Sequence, residues 1–199
     1  MAWAKAGNAS GSGDDFDTGT FTTSKVLQVL YHSEATGGDI NAQNRVGNTT
    51  IDSGNNYAWR YSQNGGADST STSRDFVYES SATSNSGESG FRVLYIVNIA
   101  SEEKLIIGFS IDQLATGAGT APNRMELTHK WANTSNQIDI VGGHNNSGAG
   151  DFTSDTDLSV LGSELTPASG KTIETGSIYI DTDTNQRYFW DGSSWSLQA

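Results

Sequence analysis

Phe91–Ile99 reads FRVLYIVNI and Lys104–Ile111 reads KLIIGFSI, with Ala100-Ser101-Glu102-Glu103 between them. Two runs rich in β-branched and aromatic residues, joined by four small or polar ones, predict an antiparallel hairpin. Upstream, Thr20–Glu34 contains Val26-Leu27-Gln28-Val29-Leu30-Tyr31, a nearly continuous apolar run that suits a strand in the middle of a sandwich. Ile40–Val46 predicts a further strand, after the turn Thr36-Gly37-Gly38-Asp39. In Tyr57-Ala58-Trp59-Arg60-Tyr61 strict alternation puts the three aromatic rings on one face, and Asn64-Gly65-Gly66 ends the run.

Downstream, Arg124–Trp131 alternates Met125, Leu127, His129 and Trp131, and Gln137–Val141 predicts a returning strand. Phe76 and Tyr78 mark a short strand over Asp75–Glu79, and Leu158–Leu161 closes the domain. Gly47–Asn56, Asp68–Ser73, Ser80–Gly90, Thr116–Pro122 and Gly142–Phe152 read as loops. No helix beyond one or two turns is expected, the nearest candidates being Ser101–Leu105 and Asp112–Ala115. About eight to ten short strands separated by turn signals predict an all-β chain with a jelly-roll-like β-sandwich over residues 1–162.

Residues 163–171 read as a linker, and residues 172–199 as a small three-stranded meander. Its strands are Ser177–Asp181, Arg187–Trp190 and Ser194–Leu197. Asp183-Thr184-Asn185 and Asp191-Gly192 supply its turns. A three-stranded sheet this small is marginal alone, so it is expected to dock on something.

Composition narrows the function. Only 34% of the 199 residues are hydrophobic, glycine numbers 23 and proline 2. Aromatic residues make up 10%, which disordered chains lack. The net charge of −12 repels phosphate, so nucleic acid is not an expected partner. With no cysteine there are no disulfides, thiolate metal sites or cysteine nucleophile. No apolar run reaches membrane-spanning length, so membrane insertion is not expected. The opening residues Met1–Gly7 lack the apolar core of a signal peptide, and the expectation is folding in a host cytoplasm.

Catalytic signals are weak. His32, His129 and His144 share no metal-ligand spacing. No Gly-x-Ser-x-Gly elbow is present, and Glu102-Glu103 sits in a tight turn where solvation is the simpler role. The chain is therefore not expected to be an enzyme. Acidic loops offer the one cofactor candidate. Asp151, Asp155 and Asp157, like Asp14, Asp15 and Asp17, combine carboxylates with small and hydroxyl residues in a way that suits calcium, although no EF-hand pattern is present. Solvated Asx turns that cap their own backbone are the simpler alternative. Tyr188, Trp190, Trp195 and the N-terminal Trp3 are candidate glycan or partner contacts, weighed against the meander's own need for a core.

Three stretches of the terminal unit carry a resemblance: Gly176-Ser177-Ile178-Tyr179, Asp181-Thr182-Asp183-Thr184-Asn185 and Tyr188-Phe189-Trp190-Asp191-Gly192-Ser193-Ser194-Trp195. The unit resembles a short module found at the ends of phage tail and other virion proteins. The preceding region is similar to β-domains encoded by marine phage and virus genomes, through Gly54–Ser62, Gly117–Arg124 and Lys130–Ser135. The resemblance implies a virion structural role with no defined activity. The expectation is a surface-exposed virion protein, either capsid decoration or part of a tail fibre or tail tip. It would act as a homo-oligomer, a trimer being one closed form, in contact with other virion proteins. A lectin-like adhesin for host-surface glycans, reading them through Gly47–Asn56 and Gly142–Phe152, is the alternative. A self-assembling extracellular filament subunit is the third.

Overall fold

A computed structural model describes residues 3–78, 87–146, 149–164, 175–181 and 186–198. Strand β1 is Ala4–Ser10, β2 Asp15–Asp17, β3 Val26–Thr36, β4 Ala42–Asn48, β5 Thr50–Ile51, β6 Tyr57–Gln63, β7 Ser69–Arg74 and β8 Ser89–Val97. They continue as β9 Lys104–Asp112, β10 Asn123–Trp131, β11 Ile140–Asn145, β12 Asp151–Phe152 and β13 Asp157–Ser163. The C-terminal unit holds β14 Ile178–Asp181, β15 Gln186–Trp190 and β16 Trp195–Leu197. The described residues form no helix. The chain divides into two compact units, Ala2–Leu165 and Thr166–Ala199. Most of the expected linker, the Asp183–Asn185 turn and Glu79 lie outside the described residues.

The quoted hairpin forms as β8 and β9, paired antiparallel from Gly90↔Asp112 to Val97↔Leu105. Its connection is longer than four residues because Asn98 leaves the ladder. The Asn98 side chain donates to the Ser24 and Ile138 carbonyls, both at 3.0 Å, and accepts from the Ile138 amide at 2.7 Å. Around the hairpin grows one large antiparallel sheet in the order β1-β13-β3-β8-β9-β10-β6-β7, with β12 also paired to β3. A second sheet runs β2-β11-β4-β5. One apolar core joins residues of both: Leu27, Val29 and Tyr31 of β3, Leu94 and Ile96 of β8 and Met125, Leu127 and Trp131 of β10 with Val46 of β4 and Val141 of β11. This is a sandwich in which the smaller sheet covers part of the larger one.

The core is laid out in rungs that follow the pairing register. Leu27, Ile96, Ile106, His129 and Trp59 form one rung. Val29, Leu94, Gly108, Leu127 and Tyr61 form the next. A Cβ at Gly108 would lie 2.5 Å from the Leu94 side chain, so glycine is what lets that rung close. Gly143 of β11 plays the same part for Phe16 and Tyr31, whose atoms would lie 2.3 and 2.9 Å from an added Cβ. Phe16, Tyr31 and Phe152 pack edge to face in that space.

Several expectations shift in detail. Asp68–Ser73 is not a loop: Ser69–Arg74 pairs with β6 as the outermost strand, its Thr and Ser side chains needing no apolar partner there. Of the expected Asp75–Glu79 strand, the described residues form a single bridge between Val77 and Asn44, beside an Asp75–Arg45 ion pair at 2.7 Å. The strand expected over Gln137–Val141 begins at Ile140 and runs through Gly142 and Gly143, which had read as loop. Thr20–Lys25 precedes β3 without strand pairing, and both helix candidates are turn or strand. Ladder irregularities fall at Lys5/Gly7 in β1 and at Tyr57/Trp59 in β6.

Ions are buried at both ends of the β8–β9 hairpin. Arg92 and Asp112 pair at 3.0 Å with each side chain about 1% exposed. Arg92 also donates to the Ser33 hydroxyl and lies 5.1 Å from the Tyr31 ring centre. At the other end Lys104 donates to the carbonyls of Ala100, Glu102 and Asn133 and sits over the Trp131 ring. The indole N–H of Trp131 donates to Asp52 at 2.7 Å. Removing one member of a buried pair strands the other's charge. Asp112→Ala is expected to lower unfolding free energy by about 3–5 kcal/mol, measured by chemical denaturation. A loss of under about 1 kcal/mol would contradict this account of Arg92.

Candidate functional site

Alternation along β8 and β9 gives each strand two rows, and the more apolar row faces outward. The inner row of β9 is Lys104, Ile106, Gly108, Ser110 and Asp112, all buried. Its outer row is Leu105, Ile107, Phe109 and Ile111, exposed by 57, 56, 58 and 50%. In β8 the inner row is Gly90, Arg92, Leu94 and Ile96, and the outer row Phe91, Val93, Tyr95 and Val97. Cross-strand register couples the outer rows as Phe91/Ile111, Val93/Phe109, Tyr95/Ile107 and Val97/Leu105. The result is a ladder of eight apolar side chains, two strands wide and four rungs long.

Its border is polar along β10 and mixed along β3, where Val26 and Leu30 alternate with polar residues. On one side β10 turns out Arg124, Glu126, Thr128 and Lys130. Lys130 pairs with Glu103 at 2.8 Å and Arg124 with Glu126 at 3.6 Å. On the other side β3 contributes Gln28, whose amide donates to the Tyr95 hydroxyl at 3.1 Å, and His32. Leu114, 39% exposed, joins Phe91, Ile111 and His32 in a groove of about 280 Å³ at one end of the ladder. An apolar centre with a polar rim is the anatomy of a protein interface. The sequence had shown these residues as strands with no outward face singled out. The signal was in β9 itself, where one alternate row carries Lys, Gly, Ser and Asp and the other carries only large apolar side chains.

The terminal unit is a second aromatic surface. Tyr179 pairs with Tyr188, and Trp190 with Trp195, so these four share one face with Leu197. Ring centres lie 5.4 Å apart for Trp190–Trp195 and 6.0 Å for Tyr179–Tyr188. Tyr188 and Trp190 are half-buried, and Trp195 is exposed. Ile178, Ile180 and Phe189 occupy the opposite face. The Asp191-Gly192 turn is tied by Asp191, which accepts from the Ser194 and Ser193 amides, and these bonds hold its carboxyl down at about 2. Trp3 is exposed just ahead of β1.

The acidic residues expected to suit calcium lie on separate strands and turns. Asp151 lies in β12, Asp155 in the following turn, and Asp157 opens β13 opposite His32. The Asp155 carbonyl meets His32 Nδ1 at 3.0 Å, and the Asp155 amide donates to the Thr153 hydroxyl at 3.2 Å. Asp15 meets His144 at 2.7 Å, Asp14 accepts from the Asn145 side chain, and Asp17 caps the Gly19 amide. Among the described residues no group of three or more His, Asp or Glu side chains could hold a metal ion.

His129 is the most perturbed imidazole. It is 5% exposed, between Ile106 and Trp59 in its rung, and neither ring nitrogen has a hydrogen-bond partner among the described residues. Burial alone drives its pKa from 6.5 to about 3, so it is a neutral core residue. Unfolded, the same ring takes up a proton as pH falls below about 6.5, while the folded form stays unprotonated down to about 3. Stability should therefore decline across that window with a limiting slope of about 1.4 kcal/mol per pH unit from this residue. Denaturant titrations of the chain and of His129→Leu between pH 7 and 3.5 check this. The variant should show the shallower pH dependence, and identical slopes would refute it.

Among the described residues no helix is long and apolar enough to cross a membrane. Comparison of the chain with protein-family models, with curated proteins and with solved structures finds no match.

Proposed function

We propose that this chain is a structural protein of a virus particle, carried on the particle surface as capsid decoration or as part of a tail fibre or tail tip. It works by oligomerisation and contact, without catalysis. The single observation that carries the reading is the outward apolar ladder of β8 and β9. A patch of this size on a monomer marks a binding surface. The buried polar chemistry supports the same view. Arg92, Asp112, Lys104 and Asn98 are committed to bonds that hold the sandwich, and His129 is held neutral in the core. The resemblance of the terminal unit to phage tail modules adds the virion setting.

Purified particles provide the test. Peptides of this chain should be recovered from them in a fixed ratio to the shell protein, and antibody should reach the chain on intact particles. A ratio set by shell symmetry assigns decoration, and a few copies per particle assign the tail. Particles without the chain would overturn the reading.

Host-glycan binding is the second reading, favoured by the aromatic face of Tyr179, Tyr188, Trp190 and Trp195, of which Tyr179 and Trp195 are exposed. Such faces stack on the apolar side of sugar rings. A glycan array probed with the full chain should then give a signal that Trp195→Ala lowers at least about tenfold, the loss of a good stacking contact. An array with no signal would discard it.

A further inference from the structure

We propose that the outer β8–β9 face is closed by the same face of a second copy of this chain, in a pair whose two-fold axis runs along the strands between β8 and β9. This deepens the contact reading above and rests on it. Three observations support a second copy as the occupant.

The first is the inversion of the two strand rows. A solvent-facing row of Leu105, Ile107, Phe109 and Ile111 opposite Phe91, Val93, Tyr95 and Val97 is more apolar than the buried row behind it. That composition belongs to a face packed on a second layer.

The second is area. Phe91, Tyr95, Leu105, Ile107, Phe109, Ile111 and Leu114 are 39–58% exposed. Taking roughly 200 Å² for a fully exposed side chain of this size, they present on the order of 600 Å² of apolar surface. With half-buried Val93 within the ladder and Val97 and Leu30 at its margins, the face approaches the ~800 Å² per partner of a standard stable interface.

The third is self-complementarity. An axis along the strands lays β8 over β9 of the other copy with every rung facing the same rung. Phe91 then meets Ile111, Val93 meets Phe109, and Tyr95 meets Ile107, so each ring packs on an aliphatic chain. The same operation sets Arg124 over the β3 side, beside the partner's His32 and Asp157. An axis across the strands would instead put Arg124 on the partner's Lys130, like charge on like charge.

The test uses the purified full chain. Its molar mass in solution should be twice the 21.1 kDa of one chain, or a multiple of that pair, falling to one chain on dilution. Phe109→Lys and the milder Ile107→Thr both change side chains that are more than half exposed, so circular dichroism should stay unchanged. Each should weaken self-association about 30-fold or more, as for the centre of an interface. Because the chain has no cysteine, Leu105→Cys creates a unique thiol. A bismaleimide of roughly 10 Å span should join two copies through it, since same-rung pairing sets those positions about one sheet spacing apart. The crosswise arrangement separates them by about 20 Å.

A chain that is monomeric at high concentration overturns the proposal. So do variants that associate like the parent, or a dimer that the linker fails to join. If the parent is monomeric and Phe109→Lys renders the terminal meander protease-sensitive, the meander is the occupant and the proposal is wrong. None of these readouts needs the particle. A chain that pairs but is missing from particles sinks the virion reading alone, and a monomeric chain found in particles sinks the pairing alone.

Discussion

A β-strand offers its side chains alternately to two faces, and a shift of one residue exchanges them all. In β9 that rule is applied against the usual grain: the strand buries Lys104, Ser110 and Asp112 and turns Leu105, Ile107, Phe109 and Ile111 outward. Pairing of the buried charges makes this register tenable. Arg92 and Asp112 neutralise each other at one end, and three carbonyls receive Lys104 at the other. These bonds lock the hairpin, and the hairpin sets the order of every neighbour in the large sheet.

The same economy runs through the second sheet. Arg45 ties β4 to Asp75, Asn44 donates to the Gly142 carbonyl, and the Tyr57 hydroxyl donates to the Val46 and Asp52 carbonyls. Burial raises the Tyr57 phenol far above its ordinary range, so it remains a neutral donor at any physiological pH. Polar side chains thus add specific ties between elements that the shared apolar core already holds together.

The sequence was legible where alternation is strong. The quoted hairpin, the Met125–Trp131 alternation, the Tyr57–Tyr61 rings and the terminal meander all lie where the spacing put them. It was less legible at the margins of the sheets. β7 is Ser and Thr up to its final Arg74, so hydropathy alone gives it no strand signature. β2 has three residues, and β11 passes through two glycines, Gly142 against the Phe16 backbone and Gly143 against the Phe16 and Tyr31 side chains. For the site, the aromatic contacts of the meander were visible as residue types, but the outward ladder was not. A run such as Val93-Leu94-Tyr95-Ile96-Val97 looks equally buried on both sides until a second layer is found on only one of them. In the first acidic loop, the carboxylates of Asp14, Asp15 and Asp17 meet Asn145, His144 and the Gly19 amide, partners that sequence spacing does not reveal.

The sheet margins have a further consequence. β2 and β5 are three and two residues long, and the β1–β13 and β6–β7 ladders at the two ends of the large sheet are each broken by a bulge. Short or bent borders give an incoming strand no regular row of amides and carbonyls to continue. A sandwich bordered this way can be crowded shoulder to shoulder at high local density with little tendency for its own sheets to zipper into amyloid-like fibres.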